Sequence, residues 1–237
     1  LALAAAGATS SPADLWSAPE PIDTPQYFQS GGFGRRFVAV DATGTSHIAY
    51  AGDRLYYAVV SGTTWMPMTV PVTPTYGTEA VLLVDDADVP HIAFKTSSFG
   101  QAQLWVAHAM TASNASTWTL DLVTTLDSTY SWLVGDLNLE RASDGTFHLT
   151  FVNDEALYHT TSSAGGWLAP TEVITDGACS LQLGSSFAGY DLVLDAGDVP
   201  HVACASNAGS PHSLRFYTAG PTAPWTTYDE IESHSSQ

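Results

Sequence analysis

Short apolar stretches separated by turn residues run along the whole chain, and four of them share one pattern. Each has an apolar run, then a turn rich in Asp, Gly and Ser, then a His followed by alternating residues. The pattern occupies residues 40–50, 84–94, 194–204 and, in a weaker form, 141–151. Around the His, large and small positions alternate, so that His91 and Ala93 share one face of a predicted strand. This period of two predicts β-strands, and no stretch shows the 3.6-residue period of a helix.

The pattern is one part of a longer repeat of four strands. Strand A is nearly continuous in apolar residues, as expected for a strand that is buried on both faces. Strand B carries the His, strand C carries a Leu followed by an aromatic or basic residue, and strand D carries a Trp. Four-stranded units that recur every roughly 40–55 residues are typical of β-propeller blades. We therefore predict an all-β fold, a single β-propeller domain over residues 15–231 with four recognisable four-stranded blades.

The N-terminal part of the chain contains a surplus strand. Trp16 to Ile22 repeats the pattern of strand D before the first complete blade, so the propeller carries an extra N-terminal outer strand. That strand either closes the ring on the last blade, belongs to a larger propeller, or completes a blade of a neighbour. Residues 1–14 are apolar and are interpreted as a signal remnant or a docking strand, which packs on its own domain or supports self-association. Residues 232–237 are predicted to be a tail.

The blades resemble those of bacterial β-propeller repeat proteins related to sialidase-type (BNR-like) propellers. The A–B turn with its His and the later Trp carry the resemblance. The Asp-box of that family, Ser-x-Asp-x-Gly-x-Thr-Trp, keeps its Trp here but lacks the Asp, as in Ser61-Gly62-Thr63-Thr64-Trp65. The resemblance implies the propeller fold and does not specify an activity.

The strongly negative net charge of the chain limits the kinds of molecule that it can bind. The chain has six Lys and Arg against 24 Asp and Glu, and a formal net charge of −18. Such a surface repels nucleic acid and anionic lipid, and no apolar run is long enough to span a membrane. A cation, a protein or a neutral carbohydrate remains open. The Ser- and Thr-rich composition and the N-terminus favour a secreted or cell-surface location, where Cys179 and Cys204 are predicted to form a disulfide.

Two sets of residues in the repeat have competing interpretations. The four strand-B histidines are predicted to be structural, because equivalent residues of different blades lie too far apart to share a metal. They are His47, His91, His148 and His201. Asp85, Asp86 and Asp88 form the densest acidic turn; they either shape the turn or bind calcium, the one cofactor that the sequence suggests.

The long linkers that enter strand A supply the candidate ligand-binding residues. They carry aromatic side chains that can stack on sugar rings or cover the core, two arginines, and a carboxylate at a linker end. The predicted ligand-binding set is Tyr27, Arg35, Arg36, Tyr76, Glu79, Tyr130, Trp132 and Tyr190.

Sequence evidence for catalysis is thin. Glycosidases can act through two carboxylates, and Glu79 and Asp136 lie at linker ends, but no sialidase-like trio of arginines is visible. The leading prediction is a non-enzymatic binding or adhesion module, with carbohydrate as the candidate ligand of the linker face. The alternatives are a structural subunit of an extracellular assembly and a sialidase-like glycoside hydrolase.

Overall fold

A computed structural model describes residues 22, 36–51, 53–72, 77–98, 101–111, 117–127, 134–175, 178–179, 181, 189–206, 212–220 and 223–234. Within these ranges the chain consists of strands and connecting turns, without a helix. No helix of the described part is therefore long and apolar enough to cross a membrane. The surplus strand Trp16 to Ile22 lies outside the described residues except for Ile22.

The strands form four antiparallel sheets, which we number as blades 1 to 4 in chain order. Blade 1 contains β1 (Val38–Val40), β2 (Ser46–Ala51), β3 (Leu55–Ser61) and β4 (Thr64–Thr69). Blade 2 contains β5 (Gly77–Val84), β6 (Pro90–Ser98), β7 (Gln101–Ala109) and β8 (Trp118–Asp127). Blade 3 contains β9 (Val134–Arg141), β10 (Phe147–Asn153), β11 (Ala156–Ser163), β12 (Gly166–Trp167) and β13 (Thr171–Ile174). Blade 4 contains β14 (Tyr190–Leu194), β15 (Pro200–Ser206), β16 (His212–Thr218) and β17 (Tyr228–His234).

In blades 1, 2 and 4 each strand is hydrogen-bonded to the next strand along the chain, and this confirms the predicted order A to D. Blade 3 differs in its outer strand, which is divided into β12 and β13 and makes this sheet five-stranded. The interruption contains Pro170. Proline has no N–H to donate to a ladder, so the strand ends before it and resumes after it.

Three hydrophobic clusters fill the spaces between consecutive blades. The first joins blades 1 and 2, the second blades 2 and 3, and the third blades 3 and 4. In the first two clusters one blade presents a small strand-B residue, such as Ala49 in blade 1, to the large residues of the next blade, such as Ile92 and Phe94. Radial packing of this kind buries both faces of an inner sheet, which explains the nearly continuous apolar runs of strand A.

The predicted disulfide between Cys179 and Cys204 is present, with the two Cα atoms 5.8 Å apart. Cys204 pairs with Tyr190 across β14 and β15 and belongs to the core between blades 3 and 4. The bond therefore attaches the linker that precedes blade 4 to the blade itself.

Removal of this disulfide should lower the free energy of unfolding. The bond closes a segment of 25 residues, and in the chain-entropy model a loop of that size corresponds to about 3 kcal/mol. We expect the double variant Cys179→Ala, Cys204→Ala to show a loss of that order in urea unfolding at neutral pH. An unchanged denaturation midpoint would contradict the expectation.

Candidate functional site

A cluster of charged and polar side chains lies where the inner strands of blades 2, 3 and 4 begin. Glu79 is near the start of β5, Asp136 is near the start of β9, and Tyr190 is the first residue of β14. Because the inner strands surround the propeller axis, the three residues approach the same end of that axis from different blades. This is the linker end at which the sequence predicted a ligand site.

Glu79 is held between two blades. It lies directly opposite Lys95 in the β5–β6 ladder, and its Oε1 accepts a hydrogen bond of 2.8 Å from the backbone N–H of Leu137 in blade 3. Burial raises the pKa of the Glu79 carboxyl, while the Leu137 N–H and the Lys95 charge oppose that increase. The result is a carboxyl group that retains its proton at a higher pH than an ordinary glutamate.

Lys95 is the only lysine of the chain, and it is buried. Its Nζ donates a hydrogen bond to the carbonyl oxygen of Val134. Burial lowers the pKa of the Lys95 ammonium, and the negative charge of Glu79 opposes that decrease. Sequence reasoning missed this residue. The signal was a single lysine in the apolar run of strand B, where an amine is rarely found without a partner.

Asp136 has an unusual backbone conformation. Its φ of 56° lies in the left-handed region, and the β9–β10 register shifts beside it, between Thr150 and Val152. A bulge of this kind redirects a side chain away from the regular ladder and costs free energy at a non-glycine residue. The negative charge of Asp136 acts on Glu79 and raises the pKa of that carboxyl further.

Tyr190 and Asn138 complete the cluster. The buried Tyr190 hydroxyl donates a hydrogen bond of 2.6 Å to the carbonyl oxygen of Asp136 and lies 3.0 Å from the Thr150 hydroxyl. Asn138 is opposite Thr150 in the ladder and fully buried, and within the described part of the chain neither polar atom of its amide has a hydrogen-bond partner. The Asn138 amide interacts with the Tyr190 hydroxyl and helps to hold down the pKa that burial raises. A buried amide with further unpaired capacity is commonly satisfied by an ordered water.

The structure does not bring all of the predicted ligand-binding residues to one place. Glu79 and Tyr190 lie together around Asp136. Arg36 instead makes ion pairs with Glu140 of blade 3 and Asp191 of blade 4, and its side chain also donates to the carbonyl oxygen of Leu192. The remaining predicted ligands lie outside the described residues: Tyr27, Arg35, Tyr76, Tyr130 and Trp132.

A cavity of about 610 Å³ opens at the opposite end of the axis, between the A–B turns. Arg36 and Glu140 line this cavity, together with turn residues that include Asp85, Asp86 and Arg141. Most of its charges are already paired with each other, since Arg36 binds Glu140 and Arg141 binds Asp86 at 2.7 Å.

In the acidic turn predicted to bind calcium, each of the three carboxylates has a different partner. Asp85 Oδ1 accepts hydrogen bonds from the backbone N–H groups of Ala87 and Val89, and Asp88 accepts one from Ala42 N–H of blade 1. Asp86 pairs with Arg141. In the described ranges no group of three or more His, Cys, Asp or Glu side chains is arranged to hold a metal ion. Calcium binding there stays a prediction.

Three of the four strand-B histidines connect the turn to the sheet. Their Nε2 atoms lie 3.0–3.1 Å from the Asp that opens each turn, and the same carboxylates accept backbone N–H groups of the turn. The pairs are His47 with Asp41, His91 with Asp85, and His201 with Asp195. Blade 3 has Ala142 at the Asp position, and there His148 Nδ1 lies 3.0 Å from His159 Nε2. These contacts tie the turn to strand B, and the structural role of the four histidines stays a prediction.

Comparison with known proteins gives matches among solved structures alone. No protein-family model and no curated protein matches the sequence. The chain is similar to an α-L-arabinofuranosidase mutant from Fusarium graminearum in complex with an iminosugar inhibitor, with a TM-score of 0.63 and 10% identity over 91% of this chain and 71% of that one. It is also similar to the native Bacillus subtilis arabinanase, with a TM-score of 0.52 and 12% identity over 91% and 84% of the two chains.

A third match is a polysaccharide lyase, an ulvan lyase bound to a saccharide of GlcA and Rha3S, with a TM-score of 0.52 and 12% identity. It covers 81% of this chain, which spans about half (48%) of the lyase. At these identities the likeness shows the fold, a β-propeller, and confirms that prediction.

The prediction of a non-enzymatic binding or adhesion module is wrong as the leading interpretation. The matched structures are glycoside hydrolases and a polysaccharide lyase, and they support the glycoside-hydrolase alternative better. The sequence analysis ranked catalysis low because no arginine trio was found. That trio is a criterion for sialidase-type propellers and does not apply to other propeller enzymes. The chain is thus similar in fold to propeller enzymes that act on carbohydrates.

Proposed function

We propose that the protein is a carbohydrate-active enzyme that hydrolyses glycosidic bonds, with Glu79 and Asp136 as its two catalytic carboxyl groups. The observation that carries the proposal is the pairing of these carboxyl groups in different environments at one end of the propeller axis. Glu79 is half-buried beside the only lysine, whereas Asp136 projects from a strained bulge. Two carboxyl groups whose environments separate their pKa values are the usual basis for assigning an acid and a base.

In this assignment Glu79 is the general acid. Its raised pKa keeps a proton on the carboxyl, and that proton passes to the oxygen of the leaving sugar as the glycosidic bond breaks. Asp136 is the ionised partner, which either removes a proton from the attacking water or attacks the anomeric carbon itself. In both cases one water molecule is consumed, and a new reducing end forms.

Lys95 and Tyr190 position the pair. Lys95 fixes the first residue of β9 through Val134, and Tyr190 fixes the bulge through the carbonyl oxygen of Asp136. The disulfide and a polysaccharide substrate are both consistent with an extracytoplasmic location.

The resemblance to sialidase-type propellers gains no support from the arginines. Among the described residues, Arg36 and Arg141 line the axial cavity, but each is paired with a carboxylate. Arg215 donates to Ala178 and lies over the Tyr228 ring in blade 4. An arginine cluster for a sialic acid carboxylate is therefore not what this geometry favours, and the proposal is a glycoside hydrolase without that specificity.

The test is turnover by the purified 237-residue chain on separate neutral, uronate-containing and sulfated polysaccharides, with arabinan among the neutral ones. We expect new reducing ends on at least one substrate without ultraviolet absorbance from an unsaturated sugar. Absence of turnover on the whole panel would overturn the proposal, as would an unsaturated product, which indicates a lyase. The double variant Glu79→Gln, Asp136→Asn, purified in parallel, excludes a contaminating hydrolase.

A further inference from the structure

The interface between blade 4 and blade 1 differs from the other three interfaces. The three hydrophobic clusters join blades 1 to 2, 2 to 3 and 3 to 4, and within the described residues no such cluster lies between blades 4 and 1. Arg36 reaches across at the inner rim, where it bonds Asp191 and Leu192. Beyond that rim, each of the two blades presents an apolar face that resembles the buried faces of its sister blades.

Comparison with equivalent positions in blades 2 and 4 shows that one face of blade 1 is uncovered. The ladder register places Val38 opposite Ile48, just as it places Leu82 opposite Ile92 and Leu192 opposite Val202. Leu82 and Leu192 are 3% and 0% exposed because the preceding blade covers them, but Val38 is 50% exposed. Further along the same face, Tyr50 is buried and stacks on Tyr56. The uncovered area is therefore the inner part of the face.

The facing side of blade 4 shows the complementary difference. Leu214 pairs with Ala205 as Leu55 pairs with Ala51 in blade 1. Leu55 is 0% exposed beneath the following blade, whereas Leu214 is 40% exposed. Val193, on the same face of β14, is exposed as well. Two apolar sheet faces thus lie on either side of one gap, and both have the composition of inter-blade surfaces.

We propose that residues 1–35 of this chain pack into the gap between blades 4 and 1. The segment is about as long as blade 1 from Val38 to Thr69. It contains Trp16 and Ile22 at the spacing found in the outer strands of the blades. It also joins the described chain at Arg36, which lies two residues before β1 and is bonded to blade 4. The segment therefore starts from the inner rim of the gap and carries the apolar residues that an inter-blade surface requires.

The proposal is tested on the full chain with single engineered thiols, because both native cysteines are in the disulfide. Val38→Cys and Leu214→Cys report on the two walls of the gap. Met110→Cys, at an exposed position after β7, is the matched control. We expect a thiol reagent to modify both wall positions at least about tenfold more slowly than the control, as for a site that reacts only after local opening.

A second substitution identifies the segment that gives the protection. Trp16→Asp in the same full chain should accelerate modification at both wall positions and leave the Met110→Cys rate unchanged. Rapid modification in the Trp16 background would overturn the proposal, and so would slow modification that Trp16→Asp does not change. Protection that decreases on dilution, together with a dimer mass, would assign the gap to a second copy and overturn it too. None of these rates depends on turnover, so the result is separate from the proposed hydrolase activity.

Discussion

Substitution of Glu79 by Gln should reduce kcat/KM on the polysaccharide substrate by about 10²–10⁴-fold, which is the usual contribution of a general acid. Gln keeps the shape of the side chain and can still accept the N–H of Leu137, so the contact between blades 2 and 3 is preserved. What it lacks is the proton that the leaving group needs. Asp136→Asn should cause a loss of at least similar size, because the amide neither attacks carbon nor accepts the proton of water.

Two further measurements distinguish catalysis from stability. Thermal unfolding of each variant shows whether the loss exceeds the fraction of unfolded protein. Glu230→Gln, on the exposed outer strand β17, is the matched control for a glutamate far from the axis and should retain full activity. Activity that survives in both site variants, or that falls only as the folded fraction falls, would remove Glu79 and Asp136 from the mechanism.

The pH dependence of kcat/KM gives an independent test of Glu79 as the general acid. Burial raises the pKa of Glu79, so its protonated form persists to higher pH than for an exposed glutamate. The wild-type kcat/KM should therefore decrease as the pH rises through that pKa. In the Glu79→Gln variant this decrease should disappear from the residual activity, which is the expected signature of an acid that must be protonated.

Acidification from pH 7 to pH 5 should destabilise the protein by about 2 kcal/mol through His159. Burial lowers the pKa of His159 from 6.5 to about 4, and the neighbouring His148 contributes in the same direction. A histidine whose pKa is lower in the folded state binds its proton more readily when unfolded. Its contribution is therefore fully present above pH 6.5 and is lost as the pH falls from 6.5 towards 4.

The exception in blade 3 explains why this histidine matters. The other three blades place an Asp against the Nε2 of the strand-B histidine, but blade 3 has Ala142 there and pairs His148 with His159. His159 also packs against Trp225, which lies between β16 and β17 of blade 4, with ring centroids 5.5 Å apart. Two facing imidazoles cannot both be protonated without repulsion, and a cavity of about 370 Å³ beside them gives water access.

The measurement is urea unfolding of wild type and His159→Gln at pH 7 and pH 5. The variant should lose clearly less stability between the two pH values than wild type does. Trp225→Phe disturbs the same contact without a titrating group and should lower stability equally at both. An equal pH loss in wild type and in His159→Gln would contradict the assignment.

Much of the fold could be predicted from the sequence because its two signals are local. The two-residue alternation of side chains predicts the strands, and the repeat of about one blade length predicts the propeller. The alternation of His91 with Ala93 indicated which face of strand B packs on the next blade. The repeated Trp marked the outer strands of blades 1 to 3, whereas Trp225 lies before β17. Cys179 and Cys204 could be paired because both were assigned to the same end of the propeller. These inferences needed only the order of residues along one blade.

The candidate site was harder to infer because its geometry depends on three blades. Glu79 and Asp136 were recognised as carboxylates at linker ends. The bulge at Asp136 was not predicted, although Gly135 in the strand is the kind of residue that accompanies a bulge. The role of Lys95 depends on the Glu79 side chain opposite it. Arg36 was expected to meet a ligand and instead meets Glu140 and Asp191, which are distant in sequence and adjacent only after the ring has formed.

Arg36 also constrains the order in which the ring assembles. Its backbone carbonyl accepts the N–H of Leu82 in blade 2, and its guanidinium contacts partners 104, 155 and 156 residues further along the chain. Contacts across such separations require long loop closures and form late. During synthesis, which proceeds from the N-terminal side, blade 1 is made before its fastening partners in blades 3 and 4 exist. Blade 1 can pack on blade 2 as soon as both are made, but its contacts with blades 3 and 4 through Arg36 form only after those blades exist.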